Sequence, residues 1–166
     1  HLADPLAGWR VLSELLAPGG IMLMALYSEQ GRKDLAPAID LVRMGKYGST
    51  LMELRRFRAD VLALPANHPA RSIVTTRDDF YNLSMLRDLV FHVQEHRFTI
   101  PMIADAVRAL GLEFCGFGLA PAERKRFHDR FGADADVTSL EKWHTLEREH
   151  PEIFSAMYHF VVRKPL

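Results

Sequence analysis

A Pro-Gly-Gly turn followed by an unbroken apolar run constrains the fold of this chain more than any other feature. The turn, residues 18–20, ends a helical pattern, and the run over residues 21–27 does not alternate between apolar and polar side chains. Such a run is typical of a strand covered on both faces, as in a parallel sheet between helices. Helix, tight turn and buried strand make half of an α/β unit, so the sequence predicts the α/β class.

Two further strands are predicted near the C-terminus, at residues 112–119 and 158–163. The chain between the first strand and residue 98 has helical patterns, among them a capping box formed by Thr50 and Glu53. Three strands make only a small sheet. We therefore expect further sheet partners for this chain.

Charge and cysteine content limit the classes of partner. The 166 residues include 21 lysines and arginines and 21 aspartates and glutamates, so the net charge is zero. Nucleic-acid-binding domains normally carry a basic excess, and we expect no nucleic-acid partner. The apolar run is too short to cross a bilayer, so we expect no membrane partner. The one cysteine, Cys115, indicates a reducing, cytoplasmic location and is predicted to be a buried, inert thiol.

The start of the chain indicates a piece of a larger fold. The first residue is His1, not methionine, and a helix signal, Asp4 followed by Pro5, comes directly after it. A chain that enters a helix this early is expected to have been cut inside a larger domain.

Several stretches resemble the second half of a class I S-adenosylmethionine-dependent methyltransferase. Near the start these are HLADPL at 1–6, WR at 9–10 and LLAPGG at 15–20. Later stretches resemble a bacterial branch of the family, in which the methyltransferase domain accompanies tetratricopeptide repeats; they lie at 26–28, 87–96 and 150–154. The similarity covers nearly the whole chain.

The resemblance implies one methyltransferase domain whose C-terminal part is residues 1–166. Its partial Rossmann-like sheet would comprise the fifth, sixth and seventh strands at 21–27, 112–119 and 158–163, with the last one antiparallel between the other two. Residues 29–98 would form a helical insertion over the substrate pocket.

The resemblance also implies S-adenosylmethionine as the cofactor of the intact protein. The family's glycine-rich loop and ribose-binding acidic residue have no counterpart here, so we expect no tight binding of the cofactor by this chain alone. The order of elements leaves an open edge at the strand 21–27. We expect a second copy, the missing N-terminal half or a rearranged segment to cover it.

The resemblance assigns candidate roles to residues at the acceptor side. Glu95 and His96 would face the methyl acceptor, a small molecule or a protein, with His92 beside them, and His1 would lie near the cofactor's sulfonium. Methyl transfer to a hydroxyl or amine often needs a base, which would be His1 or His96.

Tyr27 and Ser28 end the first buried strand. Ligands of open α/β sheets sit beyond the carboxyl ends of parallel strands, so this hydroxyl pair can orient an acceptor. The alternative is an ordinary junction between strand and loop.

Two other functions stay open from the sequence. His92 and His96 share one face if they lie on a helix, and with Glu95 as a base they match an inverted zinc-protease pattern. Glu147 or Glu152 would be the third ligand, and the alternative is a solvated helix end. The whole chain can also be a non-catalytic interaction domain on the same scaffold.

Overall fold

The structure, a computed structural model, describes residues 1–92, 94–154 and 156–166. The chain divides into two units: one comprises His1–Gly31 and His96–Leu166, and the other is Arg32–Glu95. The second unit lies within the predicted insertion, residues 29–98. No described helix is both long enough and apolar enough to cross a membrane.

Among its described residues, the first unit contains a four-stranded sheet and four α-helices. The strands are β1 (Ile21–Ser28), β2 (Arg97–Phe98), β3 (Glu113–Phe117) and β4 (Met157–Arg163), in the order β2-β1-β4-β3. β4 runs antiparallel to both β1 and β3, which confirms the expected place of the last strand. β2 is a fourth strand that the sequence did not predict, and it pairs in parallel with Tyr27 and Ser28.

The helices of this unit begin where the sequence provides caps. They are α1 (Pro5–Leu15), α6 (Ile100–Ala109), α7 (Pro121–Phe131) and α8 (Leu140–Glu149). The carboxylate of Asp4 accepts the N–H of Ala7, and the hydroxyl of Thr99 accepts the N–H of Met102 at the start of α6. α6 and α7 both pack against α8.

Aromatic side chains fill the core of the first unit. Phe127 stacks on Trp143 with ring centroids 4.2 Å apart, and Phe117 packs against Phe154 and Phe160. A bulge between Phe114 and Gly116 turns both Phe114 and Phe117 toward this core. Cys115 is therefore exposed, and the prediction of a buried thiol is wrong.

β1 is covered on one face only within the described chain. Met22, Met24 and Leu26 pack against the core, whereas Ile21 and Leu23 are 67% and 71% exposed. The sequence predicted a strand covered on both faces, and the alternating exposure departs from that. Among the described residues, β1 pairs with β4 along one edge, and its other edge pairs only with β2, through Tyr27 and Ser28.

The second unit is helical. Its helices are α2 (Ala36–Met44), α3 (Leu51–Ala63), the single-turn α4 (Ile73–Thr76) and α5 (Leu83–Val90). Thr50 caps α3 by accepting the N–H of Glu53, as the capping box predicts. The fully buried side chains of Phe57, Ile73 and Phe80 form its core.

Candidate functional site

Tyr27 and Ser28 end β1, and the chain brings different groups to each of them. The Tyr27 hydroxyl lies 3.4 Å from Nε2 of His1, with ring centroids 5.6 Å apart. Two of the predicted site residues thus meet at the carboxyl end of β1. Both side chains carry groups that can hydrogen-bond to an acceptor.

The Ser28 side chain lies in a buried hydrogen-bonded cluster. Its hydroxyl donates to Oε1 of Glu147 at 3.2 Å and accepts the N–H of Gly31 at 2.9 Å. The Tyr158 hydroxyl donates to the same carboxylate oxygen at 2.5 Å. Ser28 and Tyr158 are fully buried and Glu147 is 1% exposed. We call these three residues, Ser28, Glu147 and Tyr158, the buried cluster.

Burial of the phenol and its hydrogen bond to Glu147 raise the pKa of Tyr158 far above its usual range. The hydroxyl is therefore a stable neutral donor at physiological pH. Sequence reasoning considered Glu147 only as a zinc ligand and gave Tyr158 no role. One signal was present: Glu147 follows Trp143 by four residues, which places a carboxylate on the apolar face of α8.

Glu95 lies at the end of the second unit and is held by Arg32. The guanidinium donates to both carboxylate oxygens, at 3.0 and 2.7 Å, and to the carbonyl of Leu89 at 3.2 Å. The two side chains are 5% and 11% exposed. His92 is exposed in the same unit, whereas His96 is half-buried and belongs to the first unit.

The zinc hypothesis required His92 and His96 on one helix face, and that premise is wrong. α5 ends at Val90, where the N–H of Phe91 bonds to the carbonyl of Arg87. The described residues from His92 to His96 have no helical structure, and Val93 lies outside the described residues. No group of three or more potential metal ligands occurs in the part of the chain that the structure describes.

The proposed third ligands have other partners. Glu147 accepts hydrogen bonds within the buried cluster. Glu152 pairs with Arg126 at 2.6 Å on the surface.

Comparison with known proteins identifies the type of fold. No family model matches the chain. An uncharacterized protein of Synechococcus sp. is 29% identical over an alignment that covers 100% of this chain and 42% of that protein. The structure of PKMT2 from Rickettsia typhi matches with a TM-score of 0.59, at 13% identity, over 95% of this chain and 31% of that one.

A second PKMT2 structure, in complex with AdoHcy, matches with a TM-score of 0.51 at the same identity and coverage. The chain therefore has a methyltransferase-like fold. It spans less than half the length of the curated relative and about a third of the length of the matched structures.

Proposed function

We propose that this chain supplies the acceptor side of an S-adenosylmethionine-dependent methyltransferase. The observation that carries the proposal is the likeness, over 95% of the chain, to a methyltransferase structure that was solved with AdoHcy. Polar side chains at the carboxyl end of β1 support it, because this is where open α/β sheets bind ligands. The acceptor is a small molecule or a protein that offers a hydroxyl or an amine.

In this proposal the chain's own residues orient the acceptor and remove its proton. The Tyr27 hydroxyl and Nε2 of His1 lie 3.4 Å apart, so both groups can contact one acceptor group placed beside them. His1 is a candidate base, and His96 is the other. His92 and Glu95 are candidate acceptor contacts on the insertion.

The residues present do not fit tight binding of the cofactor. The one Gly-x-Gly sequence, Gly116 to Gly118, lies at the end of β3, an edge strand separated from β1 by β4. Gly116 has a φ of 128°, a conformation that favours glycine, so the bulge of β3 itself accounts for glycine at this position. In the proposal, residues outside this chain hold the cofactor.

Apolar side chains on the first unit support a covering partner. Ile21 and Leu23 are exposed on β1, and Val11, Leu12 and Leu15 are exposed on α1. On β1 these side chains lie on the face opposite the core, and an apolar sheet face exposed in this way marks an interaction surface. The partial coverage of the longer relatives favours the rest of the same protein as the cover, and a second copy is the alternative.

Titration calorimetry with S-adenosylmethionine tests the cofactor proposal. We expect no micromolar binding to residues 1–166, whereas the longer protein that contains this chain should bind. Micromolar binding by this chain alone would contradict the division of roles. Failure of the longer protein to bind would instead support a non-catalytic interaction domain.

Light scattering of the purified chain tests the covering partner. We expect concentration-dependent association that Leu23→Lys abolishes, because the charge falls on the exposed face of β1. Leu62→Lys, on an exposed position of the second unit, is the matched control and should leave association unchanged. A chain that stays monomeric at high concentration would argue against a second copy as the cover.

A further inference from the structure

The buried cluster joins three elements of the first unit that are distant in sequence. Ser28 ends β1, Glu147 lies near the end of α8, and Tyr158 is the second residue of β4. Glu147 is separated from Ser28 by 119 residues and from Tyr158 by 11. One carboxylate thus receives hydroxyl donors from both strands.

The chain turns directly after β1, over residues 29–32, and backbone N–H groups at this turn bond to groups from other parts of the first unit. The N–H of Ser28 donates to the carbonyl of Ala156 at 3.0 Å, and the N–H of Glu29 donates to the carbonyl of Phe98 at 2.9 Å. The N–H of Gly31 donates to the Ser28 hydroxyl. The orientation of that hydroxyl is set in turn by its bond to Glu147.

A buried carboxylate is a costly way to fill this space. Removing a carboxylate from water is unfavourable, and well-packed apolar residues in its place are often as stable or more stable. If a shorter or apolar residue replaced Glu147, the hydroxyls of Tyr158 and Ser28 would lose this acceptor. The arrangement therefore fixes geometry at the end of β1 better than it stabilises the unit.

We propose that Glu147 is a positioning residue that, through Tyr158 and Ser28, fixes the turn after β1 and thereby the orientation of Tyr27. The inference rests on the proposed function in one respect: the group that Tyr27 orients is the methyl acceptor. Tyr27 directly precedes Ser28, so the cluster holds the neighbouring residue and the pairing with β2. Glu147 itself acts through these two side chains.

The test compares local order with global stability in this chain by nuclear magnetic resonance and urea unfolding. Glu147→Leu with Tyr158→Phe removes the acceptor and its strongest donor together, so no unpaired phenol remains. We expect the free energy of unfolding to change little. Amide exchange at Glu29 and Gly31 should accelerate about tenfold, and the contact between the His1 and Tyr27 rings should weaken.

Two single variants supply the controls. Glu147→Gln keeps an acceptor oxygen and should retain slow exchange. Glu149→Leu makes the same kind of change at an exposed residue of α8 that pairs with Arg130, and it should leave Glu29 and Gly31 unaffected.

Unchanged exchange and an unchanged ring contact in the double variant would overturn the proposal. If the double variant does not fold, Tyr158→Phe alone is used, and exchange at Glu29 and Gly31 is compared with exchange at core amides to separate the local effect from its lower global stability. None of these measurements involves a cofactor, so a failed methyltransferase assignment would leave them interpretable.

Discussion

Glu95→Ala is expected to lower the free energy of unfolding by about 3–5 kcal/mol, because it leaves the Arg32 guanidinium buried without this carboxylate. The pair is bidentate, at 3.0 and 2.7 Å, and both side chains are almost fully buried. Breaking a buried ion pair from one side costs far more than the pair contributes. Urea unfolding of the variant and the parent chain measures the loss.

A double variant and an exposed pair give the controls. Arg32→Leu with Glu95→Leu removes both charges, and it should recover most of the lost stability. Asp40→Ala breaks a solvent-exposed pair with Arg43 in the same unit and should cost less than about 1 kcal/mol. If Glu95→Ala lowered the free energy of unfolding no more than Asp40→Ala does, the Arg32–Glu95 pair would contribute no more than a solvent-exposed pair.

The same ion pair gives Glu95 a structural role. Arg32 and Glu95 are the first and last residues of the second unit, so the ion pair joins the two ends of that unit. Each carboxylate oxygen can accept a second hydrogen bond, but the bidentate pair fixes the orientation of the Glu95 carboxylate. Any contact with the acceptor would therefore have to fit the orientation that Arg32 sets.

Local patterns in the sequence predicted the three longer strands of the first unit. The apolar run and the Pro-Gly-Gly turn predicted β1, and the two later strands were predicted to within two residues of the bounds of β3 and β4. β2 was missed because it is two residues long and exists only through pairing with Tyr27 and Ser28, some 70 residues earlier. A pairing between residues so far apart in the sequence leaves no local periodic pattern from which to predict it.

The same limit explains the errors at the candidate site. The pattern around His92 predicted a helix, but α5 ends at Val90. Glu95 instead bonds to Arg32, a residue 63 positions away. The buried cluster likewise depends on long-range packing of α8 against two strands. A glutamate at an inward helical position was the only local signal of it.

Tyr158→Phe is expected to make the free energy of unfolding fall less steeply as the pH rises above about 10. Burial and the bond to Glu147 raise the pKa of Tyr158, so the folded chain keeps the phenol neutral where the unfolded chain ionises it, near pH 10. The stability that this group contributes is complete below about pH 10. It is then lost as the pH rises, by up to about 1.4 kcal/mol per pH unit.

The variant should be less stable than the parent at pH 8 by about 1.5–3 kcal/mol, since it lacks a hydrogen bond to a carboxylate. The difference should narrow steadily between pH 10 and 11.5, because phenylalanine has no proton to lose. Tyr47, whose pKa is raised mainly by its hydrogen bond to Asp60, contributes in the same direction in both chains. Tyr47→Phe is therefore the matched control, and it should leave most of the alkaline slope in place. Urea unfolding at each pH gives the slopes, and parallel slopes for the parent and Tyr158→Phe would mean that Tyr158 ionises as readily folded as unfolded.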